Sequence, residues 1–171
     1  MAFYKELNGI LNLSTSMLLS NENICKLVHY YPQQVDYQYD PLIQDKVKNP
    51  SSLLMENIFP LPKIPDADTK QNCFIDVTVC GGEEVKDNPK YRRILIMFDI
   101  ICHLDAWIIK NGFRPISIME EIDSMFNLQR TPLDVINKPI ARPFVPKDYS
   151  NKFYGFQLSY DLIVNSNIEC I

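Results

Sequence analysis

"RRILIMFDIICHLDAWIIKNG", residues 92–112, decides how this chain folds. Even positions from 94 to 108 read Ile, Ile, Phe, Ile, Cys, Leu, Ala, Ile, while Asp99, His103 and Asp105 all fall on odd ones. Neighbouring side chains of a strand point to opposite faces, so the alternation describes a strand with one dry face and one polar face. Drawn out over positions 91–110 as a single strand, the passage would span about 65 Å, far beyond the usual length, so it is expected to bend, bulge or protrude. Asn111 and Gly112 then turn the chain.

The flanking sequence supplies partners for that strand. Upstream, in "CFIDVTVC", Ile75, Val77 and Val79 alternate with Asp76 and Thr78, the pattern of a strand wetted on one side. Gly81 and Gly82 are expected to close it, leaving "GGEEVKDNPK" as a long acidic hairpin tip. Downstream, Phe156, Leu158, Tyr160, Leu162 and Val164 alternate with Gln157, Ser159 and Asp161, which predicts a closing strand. Between them "FRPISIMEEIDSMFN" places Ile118, Ile122, Met125 and Phe126 on one helical stripe, with Ser117 and Glu120 spaced as a capping box.

Two helices are predicted in the first thirty residues. Phe3, Leu7, Ile10 and Leu11 recur at helical spacing, as do Ile24, Leu27, Val28 and Tyr31 after a break at Ser20 and Asn21. The N-terminus has neither a basic leader nor a long apolar run, and reads as structure. Between residues 32 and 72, Pro32, Pro41, Pro50, Pro60, Pro62 and Pro65 punctuate an extended arm, and Pro132, Pro139, Pro143 and Pro146 punctuate a second at about 128–151. The first arm is expected either to be partly disordered alone or to be ordered by a surface that it wraps. The result is a single α+β domain, residues 1–171: an antiparallel sheet of three or four strands, a helix packed on one face, N-terminal helices and two long proline-rich arms.

Composition excludes several functions. With 46% hydrophobic residues, 22% charged residues and a formal net charge of −4, the chain lacks the basic footprint of a nucleic-acid binder. Five cysteines (Cys25, Cys73, Cys80, Cys102, Cys170), with no C-x-x-C pair, are expected to be reduced thiols. Adjacent Cys102 and His103 would point to opposite faces of a strand and so could not share a metal ion; no cofactor is expected. His29, near a helix C-terminus, suits the helix dipole.

Catalysis finds little to build on. If the strands are neighbours, Asp76, Asp99, His103, Asp105 and Asp161 share one face, but Asp99 and Asp105 are six residues apart, roughly 20 Å along a strand, too far to hold one metal ion. Pro65 and Asp66, then Glu84, Val85 and Lys86, echo the P-D…E-x-K skeleton of metal-dependent nucleases, yet this E-x-K is expected in a hairpin tip rather than a core strand. No G-x-S-x-G elbow occurs, and with only two histidines no nucleophile and base are evidently paired. A solvated face is the simpler account of the acidic row.

The layout resembles the small neck proteins of tailed bacteriophages, particularly the tail-terminator type. "NENICKLVHYY" corresponds to an early helix, "IFPLPKIPD" to an arm, "FIDVTVC" to a strand, "ICHLDAWIIKNGFRPISIMEEIDSMF" to a long strand and the following helix, and "FYGFQLSYDLIV" to the last strand. The resemblance implies a structural virion protein without catalytic activity, assembling as a homo-oligomer, typically a hexameric ring. That ring would cap the tail tube, contact a connector or stopper protein, and let DNA pass without tight binding; no membrane is involved. It implies a virion location at the neck, after assembly in the host cytoplasm. On this reading Asp76, Asp99, His103, Asp105 and Asp161 are candidate lumen-facing residues, and Ile58, Phe59, Leu61 and Ile64 are candidate anchors of the arm on a neighbouring subunit. The chain is longer than compact terminators, which leaves a head-completion or stopper role open. A metal-dependent nuclease and a monomeric binding module are the alternatives.

Overall fold

A computed structural model describes residues 3–32, 34–63, 72–86, 88–127, 129, 137–150 and 152–165. Three helices, α1 (Phe3–Ser20), α2 (Glu22–His29) and α3 (Arg114–Phe126), accompany eight strands: β1 (Ile58–Phe59), β2 (Cys73–Val85), β3 (Asn88–His103), β4 (Ile108–Ile109), β5 (Gly112–Phe113), β6 (Ile140–Ala141), β7 (Val145–Ser150) and β8 (Phe153–Asn165). Six of these form one open sheet in the order β1, β2, β3, β8, with β6 and β7 both on the outer side of β8. The class is α+β, as the sequence predicts, but the sheet is wider than the three or four strands expected. The extra strands come from the proline-rich arms, whose short pairings leave no periodic signal.

The opening passage bends where its alternation is interrupted. β3 stops at His103, whose ring nitrogen Nδ1 accepts a hydrogen bond from the Asp105 amide at 3.1 Å and so caps a single 3-10 turn, Leu104–Ala106. Before that point the period of two holds: Ile94, Ile96, Phe98, Ile100 and Cys102 are buried against the helices. Register confirms the sharing of faces, since Asp76 lies opposite Asp99 and Asp99 opposite Gln157. The helical side carries the main core, in which Ile118, Ile122 and Phe126 of α3 meet Phe98 and Tyr160.

Several local expectations give way to the structure. β2 does not stop at Gly81 and Gly82 but continues to Val85 through a bulge, where Gly81 and Gly82 take φ of 100° and 116°. An L residue is disfavoured at such angles, so these glycines let the strand kink without leaving the sheet. The capping box is not formed: α3 begins three residues earlier, at Arg114, with Pro115 in its first turn and no side-chain cap. Asn21, by contrast, does separate α1 from α2, its side chain accepting from the Ile24 amide at 3.0 Å.

The first arm folds back on its own subunit. Two 3-10 turns, Pro41–Ile43 and Pro50–Leu53, lead to β1, which lies parallel to β2. Buried Asn57 sets this register: its carbonyl accepts from the Ile75 amide at 2.8 Å and its side chain donates to the Cys73 carbonyl at 3.1 Å. Val47, Leu53, Ile58 and Phe59 are buried, which ties the described part of the arm to the body of the chain. Of the four residues expected to anchor the arm on a neighbour, Ile58 and Phe59 are buried within the chain itself, Leu61 is exposed and Ile64 lies outside the described residues.

A second correction concerns sulfur. Cys73 and Cys102 face each other across β2 and β3, with Cα atoms 4.1 Å apart, and are joined as a disulfide rather than held as free thiols. Cys25 and Cys80 remain free, and Cys170 lies outside the described residues. The bond closes a 29-residue separation, so reducing it in the otherwise intact chain is expected to cost about 3.5 kcal/mol by the loop-entropy argument. Urea unfolding with and without dithiothreitol, read by the midpoint, checks this; coincident curves would show that the bond contributes nothing.

Candidate functional site

The polar face of the sheet is not a uniform wet surface. At one end it carries a second apolar cluster, Phe59, Phe74, Ile101 and Phe153, with Tyr149 packed against it. Phe74 lies 6.0 Å, ring to ring, from both Phe59 and Phe153, tying β1, β2 and β8 together. Beside this cluster sit Asp76 and Asp99, directly paired across two strands and pointing to the same face. Like charges placed so are unfavourable unless one takes a proton or both are solvated.

Asp76 is only 2% exposed. One of its oxygens, Oδ2, accepts from the Lys63 amide at 2.6 Å; the other, Oδ1, is buried without a hydrogen-bond partner among the described residues. Burial pushes its carboxyl up to about 7, and the Asp99 charge adds to this while the Lys63 amide and ammonium oppose it. Asp99 is better served, since the Gln157 side-chain amide donates to it at 2.8 Å. The Tyr149 hydroxyl, also buried without a well-formed hydrogen bond, faces the pair; burial first, then Asp99 and Asp76, holds its pKa well above the ordinary tyrosine value.

The five candidate residues thus separate into three places. Asp76, buried, and Asp99, half-buried, form the cross-strand pair. His103, buried with its ring centre 5.1 Å from that of Phe153, sits where β3 ends, its Nδ1 accepting from the amide of exposed Asp105 and lying 3.6 Å from that residue's carboxylate. Asp161 takes a two-pronged bond from Arg142, at 2.8 Å from Nε and 2.7 Å from Nη2. Burial of Asp76 and His103 in the subunit corrects the simpler picture of one solvated acidic row. Among the described residues no three histidine, cysteine or acidic side chains converge as a metal ion would require. Of the nuclease-like pattern, Pro65 and Asp66 lie outside the described residues, while Glu84 and Val85 are the last two residues of β2 rather than part of a hairpin tip, with exposed Glu84 at 3.5 Å from Arg92.

Sequence reasoning missed Tyr149 and Lys63, which complete the surroundings of Asp76. Both come from proline-rich stretches without periodicity, so only the fold brings them to the sheet. It also missed the apolar surface at the far edge. There a groove of about 380 Å³ is lined by Ile116, Met119, Pro143, Phe144 and Leu158. Phe144 meets Phe156 edge-on at 5.6 Å, and Phe156 in turn meets Trp107 at 6.0 Å, extending the apolar surface toward Leu104.

No helix of the described residues is long and apolar enough to cross a membrane. A protein-family model described as YomW matches residues 21–162, taking in everything from α2 to nearly the end of β8. That name is typical of proteins from Bacillus phage regions, which suggests a phage-associated protein. Curated proteins yield no match.

Proposed function

The chain belongs to the YomW family, and from that premise we propose that it is a structural virion protein that closes into a ring at the head-tail junction of a tailed phage. On this reading the ring, hexameric in the simplest case, caps the tail tube and joins it to a connector or stopper protein. It carries no catalytic activity and no cofactor, and it resides in the virion neck after assembly in the host cytoplasm.

The observation that supports this reading most is the placement of exposed apolar side chains at opposite ends of one open sheet. Beside β1 stand Leu54, Met55 and Leu61; around β6 and β7 stand Ile140, Phe144 and Val145, with Ile116 of α3 nearby. A closed ring needs two different, complementary patches on opposite sides of each subunit, whereas a two-fold dimer needs only one. Met55 adds to the case. It holds φ of 63° while more than half of its surface is exposed, so backbone strain is accepted in order to present a large apolar side chain. A net charge of −4 per chain, about −24 for six copies, suits a passage through which DNA slides without sticking.

Two single variants test the arrangement. Light scattering of the unaltered chain is expected to give a ring mass, and Met55→Asp and Phe144→Asp are each expected to remain monomeric. Mixed in equal amounts, each supplies the patch the other lacks, so the mixture is expected to form dimers and nothing larger. A monomeric mass for the unaltered chain at all concentrations, with and without tail-tube protein, overturns the ring. Cleavage of DNA with Mn²⁺ that is lost in Asp99→Ala would support the nuclease reading instead.

A further inference from the structure

We propose that Asp76 and Asp99 form a proton-sharing latch that holds the segment ending at Lys63, and Tyr149 of β7, against the sheet at low pH and loosens them as pH rises. The proposal stands on three facts of geometry. The two aspartates are direct cross-strand partners on one face. Asp76 is almost wholly buried, with one oxygen already taken by the Lys63 amide and the other unsatisfied among the described residues. The groups near it come from the margins of the sheet rather than from its centre: Lys63, after β1, and Tyr149, at the bulge of edge strand β7.

A proton taken from solvent by Asp76 Oδ1 supplies the missing donor. The neutral carboxyl can then give its hydrogen to the carboxylate of Asp99, its direct cross-strand partner, while Oδ2 continues to accept from Lys63. Losing that proton leaves two negative charges on adjacent strands, with the Gln157 amide serving only Asp99. Among the described residues, the titratable groups facing Asp76 are Asp99 from β3, Lys63 from the segment after β1 and Tyr149 from β7. Tyr149 stays protonated throughout the physiological range, and the Lys63 ammonium is drawn over the Phe59 ring, 5.4 Å from its centre. Neither cancels the second carboxylate charge.

The sign follows from linkage. Asp76 is raised from the ordinary 3.8 to about 7, so the folded chain binds more protons than the unfolded chain between these values. Stability is therefore fully present below about pH 4 and is lost as pH rises toward and through 7, the reverse of the usual buried, salt-bridged aspartate. The loosening is expected to be local, because β2 and β3 remain paired on either side of the aspartates.

Carbon-13 titration of the Asp76 carboxyl in the intact chain, with hydrogen exchange at the Lys63 amide, tests the latch. The carboxyl is expected to titrate with a midpoint between about 6 and 8, and Lys63 exchange, corrected for intrinsic pH dependence, to accelerate at least tenfold across that midpoint. In Asp76→Asn the step in exchange is expected to vanish; in Asp99→Asn the Asp76 midpoint is expected to fall. An Asp76 midpoint near the ordinary aspartate value, or Lys63 exchange indifferent to that titration, overturns the proposal. The wild-type titration decides the matter even where a variant does not fold. The oligomer plays no part in the measurement, so its outcome is separate from that of the proposed ring.

Discussion

Gly155→Ala abolishes the cooperative fold: that is the expected result with the largest effect in this chain. Gly155 lies in β8, opposite Ile101 of β3 on one side and Lys147 of β7 on the other. A methyl group there would stand 1.6 Å from the Ile100 carbonyl oxygen and 2.7 Å from its carbon, and both are backbone atoms. No rotamer change can clear such a clash, since real side-chain carbons essentially never approach within 3.0 Å. Either β8 moves away from β3, breaking the longest pairing on that side of the sheet, or the strand distorts and uncovers Phe153 and Leu158. The cost is expected to reach about 4 kcal/mol or more, a large share of the 5 to 15 that a domain typically holds. Gly9→Ala is the control. Gly9 sits within α1 with nothing within 4 Å of the added methyl, so this change is expected to stabilise by about 0.5 to 1 kcal/mol. Circular dichroism during urea unfolding would read both; a near-native midpoint for Gly155→Ala would show that the strands do not approach so closely.

Arg114→Met is expected to cost about 3 to 5 kcal/mol, because three carbonyls lose their donor at once. Arg114 is completely buried, yet its guanidinium has no carboxylate among its hydrogen-bond partners. Nε donates to the Ala106 carbonyl at 2.7 Å, while Nη1 donates to the carbonyls of Leu27 and Tyr30, the latter at 2.9 Å. These last two lie at the C-terminal end of α2, where the helix dipole is negative, so the cation is held by dipoles instead of by an anion. Its flat face also lies 4.8 Å from the centre of the Tyr31 ring, and the Tyr31 hydroxyl accepts from the Cys73 amide at 2.7 Å. One side chain thus joins α2, the start of α3 and the turn after β3. Arg114→Lys keeps the charge but cannot reach all three carbonyls from a single ammonium, and is expected to recover less than half the loss. Equal stability of the lysine and arginine forms would show that charge alone matters.

The elements of this fold whose side chains repeat at a fixed interval were legible from the residues. Ile94 to Cys102 alternate on β3 as they must, and Ile118, Ile122 and Phe126 line up on α3, because burial on one face imposes a period. Features set by contacts between distant segments were not. Cys73 and Cys102 become partners only through the register of β2 on β3, and that register is not written in either strand alone. The same holds for the site. Asp76 and Asp99 were visible as polar residues on a shared face, but the burial of Asp76 depends on Lys63 and Tyr149, which lie in stretches with no repeat to read. Arg114 carried no signal at all: a lone arginine before a proline looks like a solvated helix start, and only the approach of α2 reveals its purpose.

The placement of β3 between β2 and β8 also bears on how the chain is made. β2 and β3 adjoin through a short hairpin and can pair as soon as both leave the ribosome, but β8 meets β3 across separations of 50 residues, from His103 to Phe153, up to 74, from Tyr91 to Asn165. Until those later residues emerge, a nascent chain carries the longest strand of the described residues, its Ile94 to Cys102 face destined for burial, with one side of its backbone unpaired. During that interval of several seconds of translation the half-made sheet is open to pairing with its siblings on the same polysome.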